Sequence, residues 1–377
     1  MKVFFSTGEP SGEMLAADLL GAMRARTDVV AEGLGDERLE RAGVRIVQRT
    51  RGWSTLGIFE TLRRLPRVVP AGLALALKVR RAPPDVLVLV DFGAFNVRFA
   101  HILRAVGFRA PIVYYAPPSA WLDSAKRARA VVRVADPLTI FRHQAEFYRS
   151  LRLPIGYVGH PLVSTVVPRP RRAAPPSDGG TIALLPGSRA GEIARHTPRL
   201  LDAFETVRRA RPHVRATLVA ATADAERAAR RALALRSPLP VDVVRDARAA
   251  MRDADAAAVA SGTAVLEAAL LETPAVAFYV LTDAQWKLAR RRYPWRFITL
   301  PNLVLDEPLV PELLQHDATA DALAKAMLER LADPGAQLDG YARLRAALGP
   351  PDALQRNADW VLSAARVVDI GPGAERV

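Results

Sequence analysis

Residues 256–274, AAAVASGTAVLEAALLETP, decide how the chain is read. The run Ala256–Ala260 is short and wholly apolar, which suits a strand buried on both faces. Ser261-Gly262-Thr263 interrupts it, and Ala264–Leu271 is made of strong helix formers that Pro274 brings to a stop. Strand, glycine turn and helix start form the half-unit of a doubly wound parallel sheet. Ser261 or Thr263 can cap the helix. The free amides of its first turn, at the positive end of its dipole, then make a seat for a phosphate. Glu267 stands one turn beyond Thr263 on the same face, where its carboxylate can accept hydrogen bonds from a diol such as a ribose. The same residues also suit a well-capped helix with a solvated glutamate, so the rest of the chain has to separate the two readings.

Around this stretch the alternation of strand and helix recurs. Thr181–Leu185 is a strand that runs into the turn Pro186-Gly187-Ser188-Arg189, again ahead of a helix and now with an arginine. Ala216–Ala220, Val241–Val244 and Ala275–Val280 supply further strands, and Leu300-Pro301-Asn302-Leu303 reads as a turn whose amide can meet a ligand edge. Ala318–Leu331 and Tyr341–Arg366 read as terminal helices. Pro168–Gly180, PRPRRAAPPSDGG, has the composition of a linker.

Before the linker the same grammar holds. Lys2–Ser6 is a buried strand, and Gly8-Glu9-Pro10-Ser11-Gly12-Glu13 turns it into an amphipathic helix with Ser11 as its cap. Gly33-Leu34-Gly35-Asp36 reads as a second turn, and Gly43–Val47 holds the next strand. The clearest central strand lies in Pro84–Val90 and ends at Asp91, ahead of the turn Phe92–Asn96. Ligand-contacting residues of open α/β sheets sit at the carboxyl ends of strands. A carboxylate there, between apolar walls, can serve as a general base; it can equally cap the following helix. Gly159-His160-Pro161-Leu162 closes this half, with His160 suited either to a sugar hydroxyl or phosphate or to a structural role.

The totals bound the function. With 377 residues, half of them hydrophobic, two cores fit. The absence of cysteine removes disulfides, thiolate nucleophiles and cysteine-ligated zinc, and six scattered histidines offer no paired metal ligands. A formal charge of +14 invites nucleic acid, but 48 arginines against 5 lysines, with abundant alanine, look like a compositional bias. No nucleic-acid-binding motif accompanies the charge, and an acidic, phosphate-bearing substrate or an anionic lipid surface fits as well. Residues 56–81, LGIFETLRRLPRVVPAGLALALKVRR, carry apolar residues at helical spacing flanked by Arg63, Arg64, Arg67, Lys78, Arg80 and Arg81. That pattern suits a core helix with a basic edge or a membrane-interface helix pair. A spanning helix needs about twenty apolar residues, and the longest apolar run of this half is about ten, interrupted by Pro70 and Gly72. No signal peptide is visible at Met1-Lys2.

Two α/β halves with ligand turns in each describe a two-domain enzyme. The motifs GEPSGE (8–13), LGIFETLRRLPR (56–67), PDVLVLVDFGAFN (84–96), PSAW (118–121), VGHPL (158–162), LLPGSRAGEI (184–193), SGTAVLEAAL (261–270) and LPNLV (300–304), in this order, resemble the lipid-A-disaccharide synthase family. That resemblance implies two doubly wound Rossmann-like domains facing a cleft, the glycosyltransferase-B architecture. The expected domains are 1–167 on the acceptor side, a linker at 168–180, a donor domain at 181–340, and a terminal helix and tail at 341–377 that packs back on the first.

The implied reaction moves a 2,3-diacylglucosamine unit from UDP to 2,3-diacylglucosamine 1-phosphate, with inversion and with neither metal nor cofactor. Asp91 becomes the general base. Arg189, Ser261, Gly262, Thr263, Glu267 and Asn302 surround the UDP donor, and Gly8, Ser11, Gly12, Asn96, Ser119 and His160 stand on the acceptor side. The partners implied are a UDP-linked acylated amino sugar, a lipid-sugar phosphate and, through 56–81, the inner face of the cytoplasmic membrane. Departures from the family pattern fall in the first half: Ala94 in place of a second aspartate, Trp121-Leu122-Asp123-Ser124 in place of W-x-W-R, Arg142-His143-Gln144 near a Pro-Phe-Glu turn, and charged Asp36-Glu37 after Gly35. They leave open a different lipid or sugar acceptor, a 2-epimerase-like use of the nucleotide sugar, or a non-catalytic binding relative.

Overall fold

The computed structural model describes residues 1–50, 72–118, 124–170, 179–292 and 296–366. All of 56–71, with Arg63, Arg64 and Arg67, residues 119–123 with Ser119, and the linker core 171–178 lie outside the described residues. The chain divides into two compact units, one built from Met1–Thr165 with the chain from Leu348 onward, the other from Val166–Ala347.

In the first unit short apolar runs become β1 (Lys2–Ser6), β2 (Val30–Leu34), β3 (Arg45–Gln48), β4 (Val86–Val90), β5 (Ile112–Tyr115), β6 (Asp136–Thr139) and β7 (Gly156–Tyr157). They pair in parallel in the order β3-β2-β1-β4-β5-β6-β7. Its helices are α1 (Pro10–Arg24), α2 (Glu37–Arg41), α3 (72–81), α4 (Gly93–Ala105), α5 (Ala125–Val132), α6 (Arg142–Ser150) and α7 (Leu162–Thr165). All five residues of β4 are buried, as a strand covered on both faces requires.

The second unit repeats the plan. Its strands are β8 (Thr181–Leu185), β9 (Arg215–Val219), β10 (Val241–Val244), β11 (Ala256–Ala260), β12 (Ala275–Tyr279) and β13 (Glu312–Leu314). The order is β10-β9-β8-β11-β12-β13, all parallel. The helices are α8 (Ala190–Ala210), α9 (Ala223–Ala234), α10 (Ala247–Asp253), α11 (Thr263–Leu270), α12 (Asp283–Arg292), α13 (Leu300–Leu305), α14 (Ala320–Ala332) and α15 (Gly335–Leu348). Alanine dominates β11 because α14 lies against it, and small side chains let helix and strand approach closely.

Each sheet reverses its winding once, between β1 and β4 and between β8 and β11. Such switch points are where the carboxyl ends of parallel strands leave room for a ligand. The turns after these four strands are the glycine turn before α1, the Asp91 turn, Pro186–Arg189 and Ser261-Gly262.

Several elements differ from the sequence reading, each for a physical reason. The chain at Gly33-Leu34 is strand, not turn; a Cβ at Gly33 would lie 2.1 Å from the Phe5 carbonyl oxygen, so glycine is there for close strand approach. Helix α1 starts at Pro10, whose fixed φ suits the first helical position, so Ser11 is inside the helix and does not cap it. Residues 300–305 form α13 rather than a turn. The expected helix 341–366 is two helices. Gly349, at φ 118°, packs against Gly159 and ends α15, and α16 (Ala353–Arg366) follows. Helix α16 buries Ala358, Val361 and Leu362 with Leu15, Leu19 and Met23 of α1. Short, half-buried β13 lacks the apolar alternation that would have marked it.

Candidate functional site

The amino end of α11 is built as the sequence suggests, with one change. Its cap is Gly262, in extended backbone, and neither Ser261 nor Thr263 closes it. Ser261 Oγ instead donates to the Ile298 carbonyl at 3.4 Å. Among the described residues no acceptor meets the N–H groups of Gly262, Thr263 or Ala264, and a Cβ at Gly262 would enter open space. Three outward amides therefore converge at the positive end of a helix dipole, the arrangement that binds phosphate. At the other end of α11, Arg345 donates to the Leu270 carbonyl at 2.5 Å and Arg169 to the Glu272 carbonyl at 3.3 Å, cations where the dipole favours them.

Two neighbouring turns are closed by carboxylates of the unit itself. Glu192, on the first turn of α8, accepts from the backbone N–H of Ser188 (3.1 Å) and Arg189 (3.2 Å), from Arg189 Nη1 (2.9 Å) and from Tyr279 Oη (2.6 Å). Burial alone would raise the pKa of Glu192, but hydrogen bonds from Tyr279 and Arg189 outweigh it and hold the carboxyl below its ordinary range. Glu312 likewise gathers the N–H groups of Ile298 (3.0 Å) and Thr299 (2.9 Å), the Thr299 hydroxyl (2.8 Å) and Asn302 Nδ2 (2.9 Å) ahead of α13. Asn302 is buried. Its Oδ1 accepts from the Val310 N–H at 2.7 Å and its Nδ2 also donates to the Val310 carbonyl at 2.8 Å, so its amide braces the loop rather than facing a ligand edge.

Glu267 is not a solvated glutamate. It is 9% exposed and pairs with Arg248 of α10 at 2.7 Å. His196 of α8 ties the Pro186 turn to the end of β12: its Nδ1 lies 2.7 Å from the Pro186 carbonyl, which can only accept and so favours the proton there, and its Nε2 lies 3.1 Å from both the N–H and the carbonyl of Val280. Burial lowers its pKa and keeps that tautomer neutral.

In the first unit, Asp91 and Phe92 both take left-handed backbone, at φ 47° and 50°. Consecutive non-glycine residues in this region are strained, and surrounding structure must hold them. Asn96 Nδ2 donates to the carbonyls of Ser6 (3.1 Å), Val90 (3.2 Å) and Asp91 (3.0 Å), while its Oδ1 accepts from Ser6 Oγ at 2.6 Å. Tyr114 Oη donates to the Asp91 carbonyl at 2.9 Å. Burial, with the Asp91 charge nearby, pushes the Tyr114 phenol far up, so it stays a donor. Gly8 faces Phe92 and Gly12 faces Asp91: a Cβ at Gly8 would meet the Phe92 ring at 2.5 Å, and one at Gly12 would lie 3.7 Å from Asp91 Cβ. The structure thus brings Gly8, Gly12, Asp91 and Asn96 together. His160 is elsewhere in the packing, with Nδ1 accepting from the Leu162 N–H at 3.2 Å and its ring 5.2 Å from Phe141. Burial pushes its pKa down to about 3, which keeps the buried ring neutral.

Residues 3–346 match the family model of lipid-A-disaccharide synthetase. The lipid-A-disaccharide synthase of Myxococcus xanthus is 36% identical over 375 residues, covering 96% of this chain and 97% of that one. That of Azotobacter vinelandii is 36% identical over 378 residues, covering 97% and 98%. The chain belongs to the lipid-A-disaccharide synthase family. Solved structures share the glycosyltransferase-B fold at low identity. A Staphylococcus aureus MnaA structure with UDP superposes with a TM-score of 0.66 at 11% identity over the whole of both chains. The calicheamicin glycosyltransferase CalG4 gives 0.57 at 13%, covering 98% of this chain and 99% of that one.

Within this family member the departures can be placed. Ser124 caps α5 by accepting from the Arg127 N–H at 3.2 Å, and Ala94 falls in the first turn of α4. Arg142 and His143 open α6, and burial lowers the His143 pKa to about 4. The residues missed from sequence are those that hold turns rather than present groups: Glu192, Tyr279, His196, Arg248, Glu312 and Tyr114. Glu192 carried one readable signal, since it stands three residues after the cap, the spacing of a capping box.

The Glu192 network has a testable sign. Its folded pKa is depressed, so its stabilisation is present above the unfolded pKa and is lost as pH falls through the folded one. Glu192→Gln should cost roughly 1–3 kcal/mol at neutral pH, measured by urea unfolding, and the gap should close in acid. A gap independent of pH would contradict the charge-based account.

Proposed function

We propose that this chain transfers a 2,3-diacylglucosamine unit from UDP to 2,3-diacylglucosamine 1-phosphate, releasing UDP with inversion at the anomeric carbon. The observation that carries this reading is the open amino end of α11 in a member of this family, beside a buried Glu267 already oriented by Arg248. The diphosphate is assigned to the N–H groups of Gly262, Thr263 and Ala264, with the Arg189 guanidinium adding charge. Glu267 is assigned to the ribose hydroxyls. UDP leaves with growing negative charge, and preorganised amides and arginine stabilise it without reorganising.

Asp91 is assigned as the base. As an acceptor hydroxyl attacks the anomeric carbon, the bond to the UDP oxygen breaks and the hydroxyl proton passes to the Asp91 carboxylate. Its left-handed backbone, braced by Asn96 and Tyr114, fixes where that carboxylate starts. The solved neighbours include a 2-epimerase from Neisseria meningitidis bound to UDP-GlcNAc. Transfer differs from epimerisation in that UDP release requires the acceptor.

The lipid substrates call for a membrane surface, and α3 has a suitable face. Leu75, Ala76 and Val79 enter the core beside Phe95 and Phe99, while Leu73 and Leu77 are 45% and 37% exposed beside exposed Lys78, Arg80 and Arg81. No helix among the described residues is long and apolar enough to cross a membrane. We assign this face to the headgroup boundary on the cytoplasmic side, where each cation near anionic lipid contributes about 1 kcal/mol.

Two measurements test these assignments. Asp91→Asn should lower acceptor-dependent UDP release by roughly a hundred- to ten-thousandfold while UDP binding persists, because the donor turn lies in the other unit. Near-normal transfer by that variant would remove Asp91 from the mechanism. Separately, Leu73→Ser/Leu77→Ser together with Lys78→Gln should weaken binding to vesicles containing anionic lipid, and added salt should weaken binding of the parent. Vesicle binding indifferent to both salt and these changes would dismiss α3 as the contact.

A further inference from the structure

The strand end next to the Asp91 turn is braced by a second buried carboxamide. Gln144, on the first turn of α6, is 1% exposed. Its Nε2 donates to the carbonyls of Pro117 and Pro118, each at 3.4 Å, and its Oε1 accepts from Thr139 Oγ1 at 2.6 Å. The orientation of the amide follows from the network. The Pro117 and Pro118 carbonyls can only accept, so the NH2 group faces them and Oε1 takes the Thr139 proton. Thr139 Oγ1 also accepts from the Phe141 N–H at 3.1 Å and lies 3.4 Å from the Phe141 carbonyl.

Those prolines follow Ala116, which like Asp91 and Phe92 has left-handed backbone, at φ 49°. Pro118 then lies directly on Gly93: a Cβ at Gly93 would sit 2.3 Å from Pro118 Cβ. Gly93 is the first residue of α4 and immediately follows Asp91-Phe92. A line of contacts therefore runs from Gln144 through Pro118 to the Asp91 turn. Asn96, on the first turn of α4, holds the same turn through the Val90 and Asp91 carbonyls.

We infer that Gln144 is a positioning residue for transfer, its NH2 group bracing the Pro117–Pro118 carbonyls that pack over Gly93 and so fixing the Asp91 turn. This rests on the reading of Asp91 as base. In this chain the two proline carbonyls need a donor, which the amide supplies while its oxygen takes the short bond from Thr139. A carboxylate would set negative charge against two carbonyl oxygens. The titratable and charged groups on α6 and the strands packed against it are Arg142, His143, Glu146, Tyr148 and Arg149 on α6, Asp136 on β6 and Tyr157 on β7. Burial holds His143 at about 4 and nearby His160 at about 3, so neither histidine changes charge in the range used below.

The test measures acceptor-dependent UDP release from about pH 5.5 to 8.5 for the parent, Gln144→Glu and Gln144→Met, with UDP affinity by calorimetry. In Gln144→Glu, kcat should fall roughly ten- to hundredfold below the parent at the alkaline end, as small misplacements of reacting groups do. It should recover toward the acid end, where a protonated carboxyl again donates to a carbonyl. Gln144→Met should be slow by a similar factor at every pH, and UDP affinity should stay unchanged in both variants. A parental pH profile in Gln144→Glu, or a parental kcat in Gln144→Met, overturns the inference. If Gln144→Glu does not fold, Gln144→Met decides alone. A parent that releases no UDP with any acceptor would instead defeat the proposed function, and this inference with it.

Discussion

Where β8 and β11 pair, the second sheet changes its winding direction, and among the described residues no acceptor meets the amides at the amino end of α11. The rest of the second unit is arranged around that end. Free amides at a helix start are costly to bury unless something pairs with them. The chain pairs those entering α8 with Glu192 and those entering α13 with Glu312, using carboxylates whose charge also suits the dipole. Among the described residues it leaves the N–H groups of Gly262, Thr263 and Ala264 open. A phosphate would find its natural counter-charge there, and at the other two helices it would meet a carboxylate already in place.

The first unit spends its polar groups differently. There the switch point holds backbone strain, with Asp91 and Phe92 left-handed and Ala116 left-handed on the next strand. Strain of this kind, of order 1–3 kcal/mol per residue, persists only when the surroundings over-determine it. Two buried carboxamides, Asn96 and Gln144, supply that constraint with hydrogen bonds to backbone carbonyls. A carboxamide can donate and accept at once without bringing a charge into the core. The aromatic row Phe92, Phe95 and Phe99 then carries the turn onto the core where α3 packs.

The fold was legible because strands buried on both faces show as unbroken apolar runs, VLVLV at 86–90 and AAAVA at 256–260, each followed by a helix signal. The two turns that carry Asp91 and Gly262 were legible for the same reason, since they stand at the ends of those runs. The partners of these turns were not. Arg248 meets Glu267 from another helix, Tyr279 meets Glu192 across 87 positions, and Asn96 meets Ser6 across 90. Pairing over such separations depends on sheet order, which local pattern does not encode. The inward packing of Asn302 and His160 was not legible for the complementary reason: polar type and a glycine or proline neighbour mark a turn, but not whether its side chain points inward.

The account stands most directly on the amides of α11. Backbone amide chemical shifts and hydrogen exchange, recorded while UDP is added, would locate the diphosphate without reference to turnover. Large shifts and slowed exchange should appear at Gly262, Thr263 and Ala264, while Ser188 and Arg189, whose N–H groups Glu192 already holds, should keep their exchange rates. Protection that appears at Ser188 and Arg189 with Gly262 to Ala264 unmoved would contradict the central claim.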